Sequence, residues 1–114
     1  LVQLWTTWCG YCRRDQPAVD QMVEEFGKQG LIVLAVNIGE SKSKVQSYLE
    51  DNPRKVKVVL TGDTNLGAMF GDGGYPRYVV INRKGKVVRE QTGSGGALAL
   101  RDMLSTAGLS SKRG

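Results

Sequence analysis

At 114 residues the chain has room for one hydrophobic core but not for two, which predicts a single domain. Apolar content of 40% with 24% charged residues is that of an ordinary globular protein, and no run nears the roughly 20 apolar residues that cross a bilayer, so a soluble domain is expected. The net charge is +5, but Lys and Arg are scattered and form no basic stripe with interleaved aromatics, which argues against a nucleic-acid partner and for solubility and some steering.

Leu1 to Trp5 reads as a strand, and Trp8-Cys9-Gly10-Tyr11-Cys12 as the turn from it into a helix running from about Tyr11 to Gly27. Val19, Met22, Val23 and Phe26 recur at 3, 4 and 7 spacing and give that helix one apolar face. Pro17 cannot donate to the residue four back, so a kink is expected one turn after Cys12. The unbroken apolar run Leu31 to Val36 predicts a parallel strand covered on both faces, expected to be the central one. Ser41 to Asp51 reads as a polar helix capped by Ser41 or Ser43, burying Val45, Tyr48 and Leu49 and stopped by Asn52-Pro53.

Val56 to Leu60 follows as a third strand, and Asn65 to Phe70 as a short helical turn before the glycine-rich link Gly71 to Gly74. Tyr78 to Ile81 and Lys86 to Arg89, joined by Asn82-Arg83-Lys84-Gly85, predict an antiparallel hairpin. Ala97 to Ala107 reads as a last helix with Leu100, Met103, Leu104 and Ala107 inward, giving a domain over residues 1–109 and a frayed tail over 110–114. Strand, helix, strand, helix, strand, hairpin and helix specify an α/β fold with a mixed sheet and helices on both faces. The absence of an initiating methionine, and a start inside an expected core strand, predict an excised domain or a processed product that lacks the N-terminal part of its domain.

The chemistry is concentrated in the cysteines, both of which lie in Cys9-Gly10-Tyr11-Cys12. A thiol at the start of a helix sits among unpaired N–H groups and the positive end of the helix dipole, which favour its thiolate; Cys9 is therefore the candidate nucleophile. Cys12, one turn on and on the same side, can resolve a mixed disulfide formed at Cys9. A structural staple closes too small a loop to matter, and a zinc site lacks ligands, since there is no histidine and no third cysteine. A peroxidase reading rests on Thr6-x-x-Cys9 alone. No metal and no cofactor beyond the reversible disulfide itself are expected.

The blocks LVQLWTTWCGYC, LIVLAVN, GYPRYVVINRKGKVV and TGSGGALALRDML together resemble the TlpA/ResA-like thiol-disulfide oxidoreductases of the thioredoxin superfamily. The resemblance implies a thioredoxin fold, with Cys9 as the exposed attacking cysteine and Cys12 as the buried resolving one. It also implies that Pro76 is the cis-proline opposite the dithiol, with Tyr75 before it offering its backbone to an extended substrate. Asp15 falls where that branch places an acidic residue, usually glutamate, three positions after the second cysteine, and would exchange the Cys12 proton; the alternative is a solvated first-turn aspartate.

Gln3 stands where thioredoxin has a buried aspartate, and it cannot titrate. Trp8 is expected to shield the disulfide, Gly10, Tyr11 and Tyr75 to line the substrate rim, and Trp5 to belong to the core. Tyr75 and Arg77 depart from the family's usual residues around the proline. The activity implied is a reductase of protein disulfides acting outside the cytoplasm, in the bacterial periplasm or on the outer face of the membrane. Its partners would be a cysteine-containing protein such as an apocytochrome c, hence cytochrome c maturation, and a membrane thiol reductant. A disulfide oxidase or isomerase, or a binding module without turnover, are the alternatives.

Overall fold

The computed structural model describes residues 1–71 and 73–110. Nine regular elements follow in the order β1 (Val2–Trp5), α1 (Gly10–Phe26), β2 (Leu34–Asn37), α2 (Lys42–Asp51), β3 (Lys57–Leu60), α3 (Leu66–Phe70), β4 (Arg77–Ile81), β5 (Val87–Thr92) and α4 (Gly96–Ser105), with single 3₁₀ turns at Gly27–Gln29 and Thr61–Asp63. The expected frayed tail lies, beyond Ser110, outside the described residues.

The sheet order is β3-β2-β1-β4-β5. β1 pairs parallel to β2 and β2 parallel to β3, whereas β4 joins β1 antiparallel and β5 joins β4 antiparallel with a bulge between Val80 and Ile81. This corrects the expectation for the Leu31–Val36 run: its strand, β2, begins only at Leu34, and the central strand is β1. An apolar run reports that both faces are covered, and says nothing of which strand the returning hairpin adds to. Here the hairpin adds to the free edge of β1.

Alternation along the strands assigns the faces. Leu1, Val33, Tyr78 and Val80 pack against Val19, Met22 and Phe26 of α1 and Leu100, Met103 and Leu104 of α4. Trp5, Ala35 and Val58 point the same way and meet Val45, Tyr48 and Leu49 of α2. Val2, Leu4, Val36 and Val79 face the opposite side, under Leu66 and Phe70 of α3. Helices therefore cover both faces of a thioredoxin fold, three on one side and one short helix on the other. Each large side chain so buried contributes about 1.5–3 kcal/mol.

Local chemistry sets the ends of the helix that carries the motif. Pro17 lies inside α1, and the helix continues through it. Past Phe26 the chain turns through Gly30, whose φ of +100° lies in the left-handed region and whose N–H bonds Gly27 O at 3.0 Å. α2 is capped by Ser41 Oγ, which accepts the Lys44 N–H at 3.2 Å.

Candidate active site

β1, the central strand, ends at Trp5, and the cysteine motif forms the turn from its C-terminal end into α1. Cys9 is the N-cap of α1, with extended backbone (φ −80°, ψ 110°), and its sulfur accepts the Cys12 N–H at 3.1 Å. This is the donor that a helix start leaves without an intrahelical partner, here used to hold sulfur. Cys9 and Cys12 are joined as a disulfide with their Cα atoms 5.2 Å apart. Cys9 keeps 5% of its surface and Cys12 none. Both cysteines are thus buried, a correction to the exposed Cys9 expected from the resemblance.

Apolar groups surround the pair: Trp5, Ala35 and Val45, with Tyr75 and Tyr48 packed alongside. The Tyr75–Pro76 peptide bond is cis, and Pro76 is buried. Trp8 is 65% exposed and does not lie in that apolar packing; its ring meets Tyr75 edge-on with centroids 6.2 Å apart. Tyr11 is also exposed and lies under the Arg14 guanidinium, 5.3 Å from ring centroid to Cζ. Gly10 is exposed and open above its Cα. Arg77 turns to Thr92 Oγ1 at 2.9 Å and to the Glu90 carboxylate.

Asp15 is buried, one turn beyond Cys12 on α1, which excludes the solvated first-turn reading. Its Oδ2 accepts the Tyr78 hydroxyl at 2.7 Å; its Oδ1 accepts Ser94 Oγ at 2.7 Å and the Gly96 N–H at 3.2 Å. Burial, then the hydrogen bond to Asp15 and its charge, push the Tyr78 hydroxyl pKa above the ordinary tyrosine value. Gln3 Nε2 donates to the same hydroxyl at 3.2 Å, and Arg54 Nη2 reaches Gln3 Oε1 at 3.5 Å. Arg54 Nε bonds Asp20 Oδ1 at 3.1 Å, with the two side chains 2% and 18% exposed.

Glu40 forms a second polar cluster that has no counterpart in the sequence reading. In the loop after β2, its Oε1 accepts the Thr7 N–H at 2.7 Å and Asn37 Nδ2 at 2.8 Å, while Oε2 accepts Thr7 Oγ1 at 2.6 Å and pairs with Lys44 Nζ at 3.2 Å. Burial acts to raise its pKa, but the bonds from Thr7, Asn37 and Lys44 outweigh it and bring it down to about 2. The carboxylate thereby ties down the residue two before Cys9. Thr7 and Glu40 are 33 residues apart, so no local pattern marked the pair.

A family profile described as Redoxin matches residues 1–103. The chain belongs to the Redoxin family. Among curated proteins this Redoxin domain is 32% identical over 93 residues to the thiol-disulfide oxidoreductase ResA of Bacillus subtilis, covering 82% of this chain and 52% of that protein. It thus spans about half the length of the curated relatives it matches. Of solved structures, a Chlorobium tepidum protein assigned provisionally as the thiol:disulfide interchange protein DsbE is 28% identical with a TM-score of 0.82, over 93% of this chain and 77% of that one. A thio-disulfide isomerase of Thermus thermophilus is 28% identical with a TM-score of 0.75, over 96% and 78%. Among the described residues, no three His, Cys, Asp or Glu side chains are grouped to hold a metal ion, and no helix is long and apolar enough to cross a membrane.

Proposed function

We propose that this Redoxin domain is a thiol-disulfide oxidoreductase that reduces protein disulfides with the Cys9–Cys12 dithiol. The observation that carries the reading is the N-cap geometry of Cys9, whose sulfur takes the Cys12 N–H and stands at the positive end of a 17-residue helix. In the reaction the Cys9 thiolate attacks one sulfur of a substrate disulfide. That bond breaks, one substrate thiolate leaves, and a mixed disulfide remains. The Cys12 thiolate then attacks Cys9 Sγ, expels the second substrate thiolate and closes the Cys9–Cys12 disulfide. Two electrons pass from the dithiol to the substrate, and two protons end on the substrate thiols.

Cys12 sits among apolar side chains, which disfavour its thiolate, so its proton needs an acceptor. Asp15 is that acceptor in this reading. A carboxylate has about four lone-pair sites; Ser94 and Gly96 fill Oδ1 and Tyr78 takes one site on Oδ2, so Oδ2 is where the Cys12 proton would go. Tyr75 and Pro76 offer the edge for an extended substrate segment, and Trp8, Gly10 and Tyr11 the rim that contacts it, which suits a protein better than a small polar thiol.

The reductive direction is supported by how little holds the Cys9 sulfur: one backbone N–H among the described residues, in a chain without histidine. Strong oxidants stabilise their thiolate much further. An extracytoplasmic site, a cysteinyl substrate such as an apocytochrome c, and a membrane thiol that restores the dithiol complete the proposal, on the likeness to ResA.

Two measurements test it. Equilibration with thioredoxin or glutathione, read by thiol alkylation, gives a potential near the roughly −270 mV of thioredoxin if the domain is a reductase; a value near roughly −120 mV makes it an oxidase. With Cys12→Ala a mixed disulfide to substrate accumulates at Cys9 in mass spectra, whereas Cys9→Ala captures none. Capture by neither variant, with no insulin reduction above dithiothreitol alone, would leave a binding module.

A further inference from the structure

We infer that Arg54, Gln3 and Tyr78 are positioning residues that set how readily Asp15 takes the Cys12 proton, an inference that rests on the dithiol chemistry proposed above. Their hydrogen bonds all run one way. Arg54 Nη2 donates to Gln3 Oε1, Gln3 Nε2 donates to the Tyr78 oxygen, and the Tyr78 hydroxyl donates to Asp15 Oδ2. A guanidinium stands at one end of this chain and a carboxylate at the other, and both Gln3 and Tyr78 are fully buried. In a low-dielectric interior each donor polarises the next, so positive charge at Arg54 strengthens the bond that reaches Asp15. The last bond lands on Oδ2, the oxygen with the open site.

The buried cation is itself unusual. Its side chain is 2% exposed, it has one ionic partner, Asp20, and Nη1 meets no protein acceptor among the described residues. Such a group is costly compared with an apolar side chain of similar volume, which makes a purely stabilising role a poor account of it. The groups that bond Asp15 are Tyr78 from β4 and Ser94 and Gly96 from the segment after β5, and Cys12 lies one turn earlier on α1. Of the charges linked to it through Gln3, Arg54 comes from the loop between α2 and β3, and Asp20 from α1. A neutral amide at position 3 passes on the influence of Arg54 without competing for the proton.

The test is the pH dependence of the resolving step. Reduced protein is mixed with one equivalent of DTNB; the first thionitrobenzoate release reports attack by Cys9, and the second reports Cys12 closing the disulfide. Asp15→Asn is expected to slow the second release and move its acid limb up, to where Cys12 loses its proton unaided. Tyr78→Phe deletes the donor on Oδ2 and should move that limb up by about one pH unit, the worth of one hydrogen bond to a charged group. Asp20→Asn leaves Arg54 less neutralised and should move the limb the other way, by a smaller amount.

Shifts of opposite sign cannot come from a general loss of stability. Asp20 also lies at the partly exposed end of the chain, so its variant carries the test if Tyr78→Phe does not fold. Unmoved limbs in Tyr78→Phe and Asp20→Asn, with the limb still moved up in Asp15→Asn, would overturn the relay and leave Asp15 as the base. A limb and a rate that Asp15→Asn leaves unmoved overturn the base, and the relay with it.

Discussion

Replacing Glu40 by glutamine isolates the clasp that holds the cysteine turn from outside the motif. The carboxylate sits at about 2, against an ordinary value of 4.5, and its side chain is 7% exposed. At about 1.36 kcal/mol per unit that difference amounts to about 3 kcal/mol, and a discount for solvent reaching the loop leaves about 2 kcal/mol. The folded-state value is the depressed one, so this stability is fully present above the unfolded value of 4.5 and is lost as pH falls towards 2. At pH 3 about two fifths of it remains.

In Glu40→Gln one oxygen still accepts from Thr7 N–H and Asn37, but the amide NH₂ is turned on Thr7 Oγ1 and the Lys44 ammonium. Urea unfolding of both proteins, read by circular dichroism from pH 7 to pH 3, should show a gap of about 2 kcal/mol that narrows on acidification. A gap below about 0.5 kcal/mol at pH 7, or one that holds constant down to pH 3, refutes the account of Glu40 as a charged clasp.

Trp8→Ala should leave stability within about 0.5 kcal/mol, since the ring is largely exposed, yet raise the KM for a protein disulfide while leaving reaction with DTNB unchanged. Equal effects on both substrates would remove Trp8 from the docking rim. Met22→Ala, fully buried between α1 and the sheet, should cost about 2–5 kcal/mol in urea titrations, and a loss under about 1 kcal/mol would mean that this core closes around the gap.

Much of this was legible from spacing. The two-residue spacer put both sulfurs at a helix start, and the periodicity of Val19, Met22 and Phe26 defined the buried face of α1. Ser41, Asn52 and Asn82 marked ends and turns, because short polar side chains bond their own neighbours. What local pattern does not encode is the pairing of distant residues. Nothing near Asp15 announces Tyr78, 63 positions away, or Ser94, 79 away. Nothing in the sequence around Arg54 marks it as buried, because its burial depends on a packing that only the assembled sheet creates. The central strand was misassigned for the same reason: β1 and β2 are both apolar, and what distinguishes them is that β4 docks beside β1.

The two tryptophans stand in opposite surroundings on either side of one short turn. Trp5 is fully buried in the same packing as the sulfurs, and Trp8 is mostly in water beside the entrance. A disulfide quenches a nearby indole, so Trp5 emission should brighten when the bond is reduced, while Trp8 emission should shift to the blue when something covers it. Paired single-tryptophan versions of the protein would therefore carry two built-in optical probes, one reporting oxidation state and the other occupancy, and each could be followed in a turnover without attaching a dye.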